Sequence, residues 1–335
     1  MSNEIKVSII LPVCHGGIFL KNALSSLGRL NFPRDKFEVL FAGPEDDESL
    51  RHSVESESGK TGISFTYAGV VQSNRSARLN AAISRSRGHI LVFADDDCIF
   101  LPDWLERLSD VFEREINIGV VGGLDLAGTN EPPFNLALDY VLNSFAGTGG
   151  LRRGTGASVG KYYPKLWNMA ILREVALSVA MGRKEGQSEI FNEALDVHED
   201  VELIDRIEKT GRRIMYAPEV IVLHSRDTTL PSFTFRSFNM ARTSRTVGVH
   251  RLPHLSLAAF ALVMIALAIA SIVSEPPRVV LAGTGAIYCM ILLLSAIGGF
   301  MKTRLYSVAV YIPLLLMALH FSRGLGYLFP WRGLK

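Results

Sequence analysis

Apolar and polar positions alternate in two different ways along the chain. In the first two-thirds, short apolar runs are separated by stretches with helical spacing. Val7–Leu11 is a β-branched run, broken by Pro12 and by Gly16 and Gly17, after which Leu20, Ala23, Leu24 and Leu27 recur at helical intervals. Phe37–Ala42 predicts a second strand with a turn at Gly43 and Pro44, and Ile63–Tyr67 a third. Ala77–Ser86 reads as a helix stopped by Gly88, and Ile90–Ala94 as a wholly apolar strand running straight into Asp95, Asp96 and Asp97. Trp104–Phe112 predicts a helix and Gly119–Gly122 a strand. Further on, Val201–Thr210 predicts a helix, with short strands at Arg213–Ala217 and Val220–Leu223 on either side of Pro218. Such alternation with fully apolar strands predicts an α/β fold with a mostly parallel sheet, in which ligands bind beyond the carboxyl ends of strands.

The last third reads differently. Leu255–Val273 and Val279–Phe300 carry no charge, and Leu305–Phe321 is apolar but shorter and includes Pro313 and His320. Crossing a bilayer takes roughly 20 apolar residues. The first two segments therefore predict spanning helices, and the third either spans or lies at the interface. Arg236, Arg242, Arg245 and Arg251 precede the first segment, Arg278 stands alone in the next loop, and Lys302 and Arg304 follow the second. The positive-inside rule then puts the body and the second loop in the cytoplasm, on the inner (plasma) membrane of a multi-pass protein. A third span would leave Arg323, Arg332 and Lys335 outside, which the same rule disfavours and which keeps the interfacial option open. No signal peptide is expected, because Val7–Val13 is too short for one. These boundaries divide the chain into a cytosolic domain (1–235), a basic juxtamembrane segment (236–254) and a membrane region (255–335).

Composition sharpens this division. Of 335 residues, 48% are hydrophobic and 20% charged, and mean hydropathy is +0.23, which excludes a disordered tail protein or a disulfide scaffold. Ten of the 35 Lys and Arg, but only Glu275 of the 33 Asp and Glu, lie from residue 230 onward. An acidic body thus joins a basic, oily tail. The net charge of +2 gives no field that would draw nucleic acid. Cys14, Cys98 and Cys289 lack metal or disulfide spacing and read as reduced thiols.

Two acidic clusters carry candidate chemistry. Three consecutive Asp after a buried strand repel one another unless a cation or donors offset the charge. Mg²⁺ and Mn²⁺ prefer carboxylate and phosphate oxygens, and Asp95 and Asp97 would converge on one ion if the backbone stays extended. A plain turn cluster is the alternative. The second cluster, His198-Glu199-Asp200, precedes a helix. Asp200 is either a simple N-cap or a carboxylate able to take a proton from a hydroxyl. His224, at a strand end, is either structural or a ligand.

Together these pieces resemble a family-2 inverting glycosyltransferase with a GT-A fold over about residues 5–250. The likeness lies in VSIILPV, in SARLNAAISRSRGHILVFADDDCIFLPDWLERL, in WNMAILRE and in HEDVELIDRIEKTGRRIMYAPEVIVLH, in that order. It implies a Rossmann-like mixed sheet of the nucleotide-diphospho-sugar transferase type, followed by transmembrane helices. Asp95 and Asp97 match the DxD motif and imply binding of Mg²⁺ or Mn²⁺, with His224 completing the metal or diphosphate site. Asp200 is implied as the base and Glu199 as its neighbour in the catalytic pair. Pro12, Val13, His15, Gly43, Arg75, Asn80, Asp95 and Asp96 fall on the nucleotide-sugar side. Trp167, Asn168, Arg242 and Arg245 fall on the acceptor side, as does the basic, Gly-rich loop Arg152–Lys165 if it is more than a surface loop.

The chain departs from the family pattern in three places. Gly43 and Pro44 stand where an Asp usually contacts the nucleotide base, and His15 stands where Asn is common. Arg242-Thr243-Ser244-Arg245-Thr246 lacks the Trp of processive synthases, which favours addition of a single sugar. The layout is similar to bacterial exopolysaccharide transferases of the succinoglycan type. It implies a hexosyltransferase acting on a nucleoside-diphosphate sugar and a lipid-linked or glycan acceptor, in contact with membrane lipids and with polysaccharide-assembly proteins as candidate partners. The alternatives are a nucleotidyltransferase-like enzyme and a non-catalytic sugar-nucleotide-binding membrane protein.

Overall fold

The computed structural model describes residues 5–13, 17–71, 74–128, 130–150, 161–184, 187–195, 197–226, 228–247 and 251–329. His15 and most of the loop 152–165 lie outside them. The elements run β1 (Val7–Pro12), α1 (Gly17–Leu27), β2 (Phe37–Pro44), α2 (Glu48–Thr61), β3 (Ser64–Val70), α3 (Arg75–Arg85), β4 (Ile90–Phe93), β5 (Cys98–Phe100), α4 (Trp104–Arg114) and β6 (Ile118–Ala127). Then come α5 (Pro133–Asn143), α6 (Phe145–Thr148), a 3-10 turn at Leu166–Asn168, β7 (Met169–Leu172), α7 (Arg173–Ser178), the two-residue strands β8 (Arg183–Lys184) and β9 (Gln187–Ser188), α8 (Glu199–Glu208) and β10 (Arg213–His224). Four helices follow: α9 (Leu230–Val247), α10 (Arg251–Ala270), α11 (Glu275–Thr303) and α12 (Tyr306–Leu328).

Contacts divide the chain into two units, 1–129 with 163–225, and 130–162 with 226–335. The first unit holds an eight-stranded sheet in the order β3-β2-β1-β4-β7-β6-β10-β5. β3, β2, β1 and β4 are mutually parallel, whereas β7 is antiparallel to both β4 and β6. The apolar runs are continuous because the sheet is covered on both faces. Alternate residues serve opposite cores: Val7, Ile9 and Leu11 pack with α1 and α4, while Ile10, Leu40, Leu91 and Phe93 pack with α3 and α8. The sheet therefore points the ends of β2, β1 and β4 to one edge, where Gly43, Val13 and the Asp triplet follow.

Two expected strands are one. β10 runs unbroken from Arg213 to His224 beside β6, with its register slipping between Ala217 and Ile221. Pro218 has no amide proton to give the ladder, and the slip absorbs that loss. This continuity carries His224 to the same edge. Gly123 of β6 sits opposite the slip, and a Cβ there would come within 2.2 Å of both Asn168 Nδ2 and the Val220 carbonyl. Only glycine leaves room for the turn that bears Trp167 and Asn168.

In the second unit, Ala137, Leu138, Val141 and Leu142 of α5 pack with Val308, Ile312, Leu315, Leu316 and Leu319 of α12 and with Leu292 of α11. Thus 130–150, far from the tail in sequence, shares its core. Three helices are long and apolar enough to cross a membrane: Pro253–Ala270, Glu275–Thr303 and Tyr306–Leu328. The third is longer than its apolar run suggested, because the helix continues through Pro313 to Leu328. Leu262, Val263 and Ile265 on α10, and Leu293, Leu294 and Ile297 on α11, are exposed. An apolar face of that extent marks an interaction surface.

Candidate active site

The site lies at the carboxyl edge of β4, within the first unit. Asp96 and Asp97 form the turn between β4 and β5, and their backbone is held by two bonds. The Cys98 amide donates to the Asp95 carbonyl at 3.2 Å, and the Ser225 amide donates to the Asp97 carbonyl at 3.0 Å. Asp96 and Asp97 are buried, and Asp95 is partly so. Arg75, in the first turn of α3, donates to Asp95 Oδ1 and lies 3.8 Å from Glu199 Oε1. One guanidinium therefore joins the two acidic clusters, which lie about a hundred residues apart in sequence.

The second cluster opens α8. His198 is the residue before the helix and adopts the left-handed region at φ 66°, a conformation uncommon for a non-glycine residue and found enriched at functional sites. Asp200 stands in the first turn, not at the cap; its Oδ1 accepts from the Val201 amide at 2.8 Å and its Oδ2 lies 3.6 Å from Lys165 Nζ. The N-cap alternative is thereby corrected. Burial raises the Asp200 carboxyl, but Lys165, His198, the Val201 amide and Arg75 together outweigh it and hold the group below its ordinary value. Glu199 moves the other way. Burial, with Asp200 and Asp95 nearby, outweighs Arg75 and pushes it up to about 7. Adjacent carboxyls are thus pushed in opposite directions, with Asp200 ionised at neutral pH and Glu199 titrating there, the kind of split that separates acid and base roles.

Glu199 also gives a sign for stability. In the unfolded chain it titrates near 4.5, so between that value and about 7 the folded state binds the proton more tightly. Stability from this group is therefore highest at low pH, falls as pH rises through that window and is level above it. Glu199→Gln is expected to raise the melting temperature at about pH 8 and flatten its slope between about pH 5 and 7. Parallel melting curves for the two proteins across that range would show that Glu199 does not titrate there.

On the β5 side, His224 Nε2 lies 3.0 Å from Asp97 Oδ2, and Asp97, Cys98 and His224 bring three donor atoms within 4.8 Å of one another. The Cys98 thiol is pushed well up by burial and by Asp97 and Asp95, so it stays protonated. His224 Nδ1 is buried with no hydrogen-bond partner among the described residues. With the thiol protonated, the set offers one hard carboxylate and one borderline imidazole, which with phosphate oxygens fits Mn²⁺ or Mg²⁺ better than a soft thiolate-binding metal. Asp95 lies outside this converging set, and its Oδ1 accepts from Arg75. Burial, followed by Asp97 and Asp96, raises its carboxyl against the opposing pull of Arg75 and His224.

The remaining expected residues divide sharply. Pro12 and Val13 end β1 buried, and the Val13 carbonyl accepts from Arg78 at 3.1 Å. At Gly43 a Cβ would lie 2.5 Å from Tyr67 Oη, which donates to the Pro44 carbonyl at 2.6 Å. Tyr67 fills the place of the missing acid. Asn80 is turned to a different task. Its amide nitrogen donates to the Phe191 carbonyl and Glu193 Oε1, and its oxygen accepts from the Ile190 and Phe191 amides. These bonds pin 190–193 and leave it none for a nucleotide. Asn168 is likewise a hub, accepting from Trp104 Nε1 at 3.0 Å and donating to the Leu124 and Val220 carbonyls. Its loss would strand the buried Trp104 indole and Val220 carbonyl at about 1–3 kcal/mol each. Trp167 reaches the site, its ring 5.0 Å from that of His224. Arg245 belongs to the second unit, where it donates to the Tyr327 carbonyl at 3.1 Å and lies over that ring. Arg242 is on the same helix. Lys165 at Asp200 had no separate signal in sequence, because nothing in its neighbourhood marks it among the basic residues of its loop.

Comparison with family models matches residues 8–176 to glycosyl transferase family 2. No curated protein matches the chain. Among solved structures, the chain is similar to the mannosyltransferase PcManGT from Pyrobaculum calidifontis in complex with GDP-Man and Mn²⁺, at TM-score 0.62 and 16% identity over 96% of this chain and 87% of that one. It is similar to S. aureus TarS at 0.48 and 15%, over 71% of this chain and 39% of that one. Glucosyl-3-phosphoglycerate synthase from Mycobacterium tuberculosis matches at 0.47 and 18%, over 73% and 81%. The sheet and its helices are those of the GT-A fold.

Proposed function

The chain belongs to glycosyltransferase family 2, and from that premise we propose that it is a membrane-anchored inverting transferase. It moves a sugar, a hexose by this reading, from a nucleoside diphosphate to a hydroxyl of a lipid-linked or glycan acceptor in polysaccharide or glycolipid synthesis. The observation that carries the proposal is the Arg75 bridge: Asp95 and Glu199 lie within ion-pair reach of one guanidinium, which supports the two acidic clusters serving one site. The family match ends at residue 176, so the role of the second cluster rests on that geometry. The bound GDP-Man and Mn²⁺ of the mannosyltransferase support a nucleotide sugar and a divalent ion here.

Each residue then has a task. Asp200, held ionised, takes the proton of the acceptor hydroxyl as its oxygen bonds to the anomeric carbon. The bond from that carbon to the β-phosphate oxygen breaks on the opposite side, which inverts the configuration and releases the nucleoside diphosphate. Arg75 keeps the acidic clusters in register, and Pro12, Val13 and Gly43 line the nucleotide side. Asp97 and His224 would hold the Mg²⁺ or Mn²⁺, whose chemistry when bound is Lewis-acid support of the departing diphosphate. The three apolar helices anchor the enzyme, with the catalytic unit on the cytoplasmic side of the inner membrane, where a lipid-linked acceptor is met in two dimensions.

Full-length protein in detergent, with Mn²⁺, a lipid acceptor and a panel of nucleotide sugars, is expected to release nucleoside diphosphate. Pyrophosphate release would show nucleotidyl transfer instead. Binding of nucleotide sugar without turnover across the panel would point to a non-catalytic binder.

A further inference from the structure

We propose that Lys165 is a positioning residue for Asp200, its ammonium aiming the carboxylate and keeping it ionised in readiness for the acceptor proton. The inference rests on Asp200 being the base. Lys165 Nζ lies 3.6 Å from Asp200 Oδ2, with 22% and 14% of the two side chains exposed. A pair so shielded interacts more strongly than one at the surface.

The chain around Lys165 is built to hold it there. Two residues earlier, Tyr163 Oη donates to Asp205 Oδ1 at 2.8 Å, fastening the segment to α8, the helix that also carries Asp200. Lys165 itself has extended backbone, at φ −100° and ψ 139°. Immediately after it, the Lys165 carbonyl accepts from the Asn168 amide at 2.9 Å and starts the turn fixed by the Asn168 hub. Lys165 is thus tethered on both sides and aimed at one oxygen. Among the described residues, the other charged or titratable groups that act on Asp200 are His198 and Glu199 beside it in sequence, and Arg75 from α3. Arg75 is already committed to Asp95 and Glu199. Lys165 is therefore the cation whose removal acts most directly on Asp200.

The test reads Asp200 without substrate. In the full-length protein in detergent, a carbodiimide adds to the protonated carboxyl, and glycinamide displaces the urea to leave an amide that peptide mass spectrometry locates. The pH midpoint of Asp200 labelling in Lys165→Met is expected to rise by about one unit or more over wild type, with Lys165→Arg remaining at the wild-type midpoint. An unchanged midpoint in Lys165→Met, or an equal rise in Lys165→Arg, would overturn the proposal. A second measurement needs no variant: carbodiimide alone should join Lys165 to Asp200 by a direct amide in wild type, and its absence would also overturn it. Asp200→Asn is assayed for turnover in parallel. Full turnover there would remove the base assignment itself, whatever the labelling midpoint.

Discussion

Asp200→Asn is expected to lower sugar transfer by roughly 10²–10⁴-fold while leaving donor affinity within about twofold. The amide keeps the shape of the side chain and can still accept from the Val201 amide, so the first turn of α8 stays formed. What it loses is the capacity to accept a proton from the acceptor, which matters only in the transition state. Such a change lowers kcat and kcat/KM together. Nucleoside diphosphate release measured beside nucleotide binding separates the two effects. Near-wild-type turnover would mean that another group is the base.

Asp97→Ala is expected to abolish the part of nucleoside-diphosphate affinity that depends on Mn²⁺, a loss of at least about tenfold, the size seen even when an outer-shell partner of a metal is removed. Without Asp97 the remaining convergent donors are one imidazole and a protonated thiol, a poor set for a hard cation. Affinity measured in EDTA should be unchanged, because the substitution leaves the β1 and β2 edge, proposed above as the nucleotide side, intact. Trp167, beside His224, gives a built-in reporter, since Mn²⁺ at this place would quench it in wild type and not in the variant. Equal Mn²⁺ dependence in both proteins would place the ion elsewhere.

Much of the first unit was legible because a doubly covered sheet writes itself as unbroken apolar runs; β1, β2 and β4 are such runs. Elements without that signature were not. α2 buries only Val54, so it carries almost no period. β5 has three residues and exists by pairing with β10. At the site, residue type was readable and partner was not. Asp97 beside His224, and Arg75 between Asp95 and Glu199, are pairings that spacing along the chain does not reveal. An asparagine suited to a nucleotide, Asn80, is instead consumed by the backbone of 190–193. Gly43 shows the converse. Its missing acid is visible in the sequence, but the phenol of Tyr67 in its place is visible only in three dimensions.

The chain passes between its two units three times, after residues 129, 162 and 225. Ending the polypeptide at residue 225 to obtain a water-soluble enzyme would therefore strip α5 of its cover and bare Ala137, Leu138, Val141 and Leu142, a route to aggregation. The same order governs biosynthesis. α5 leaves the ribosome well before α12 exists, so its apolar face stays uncovered until the tail has been made.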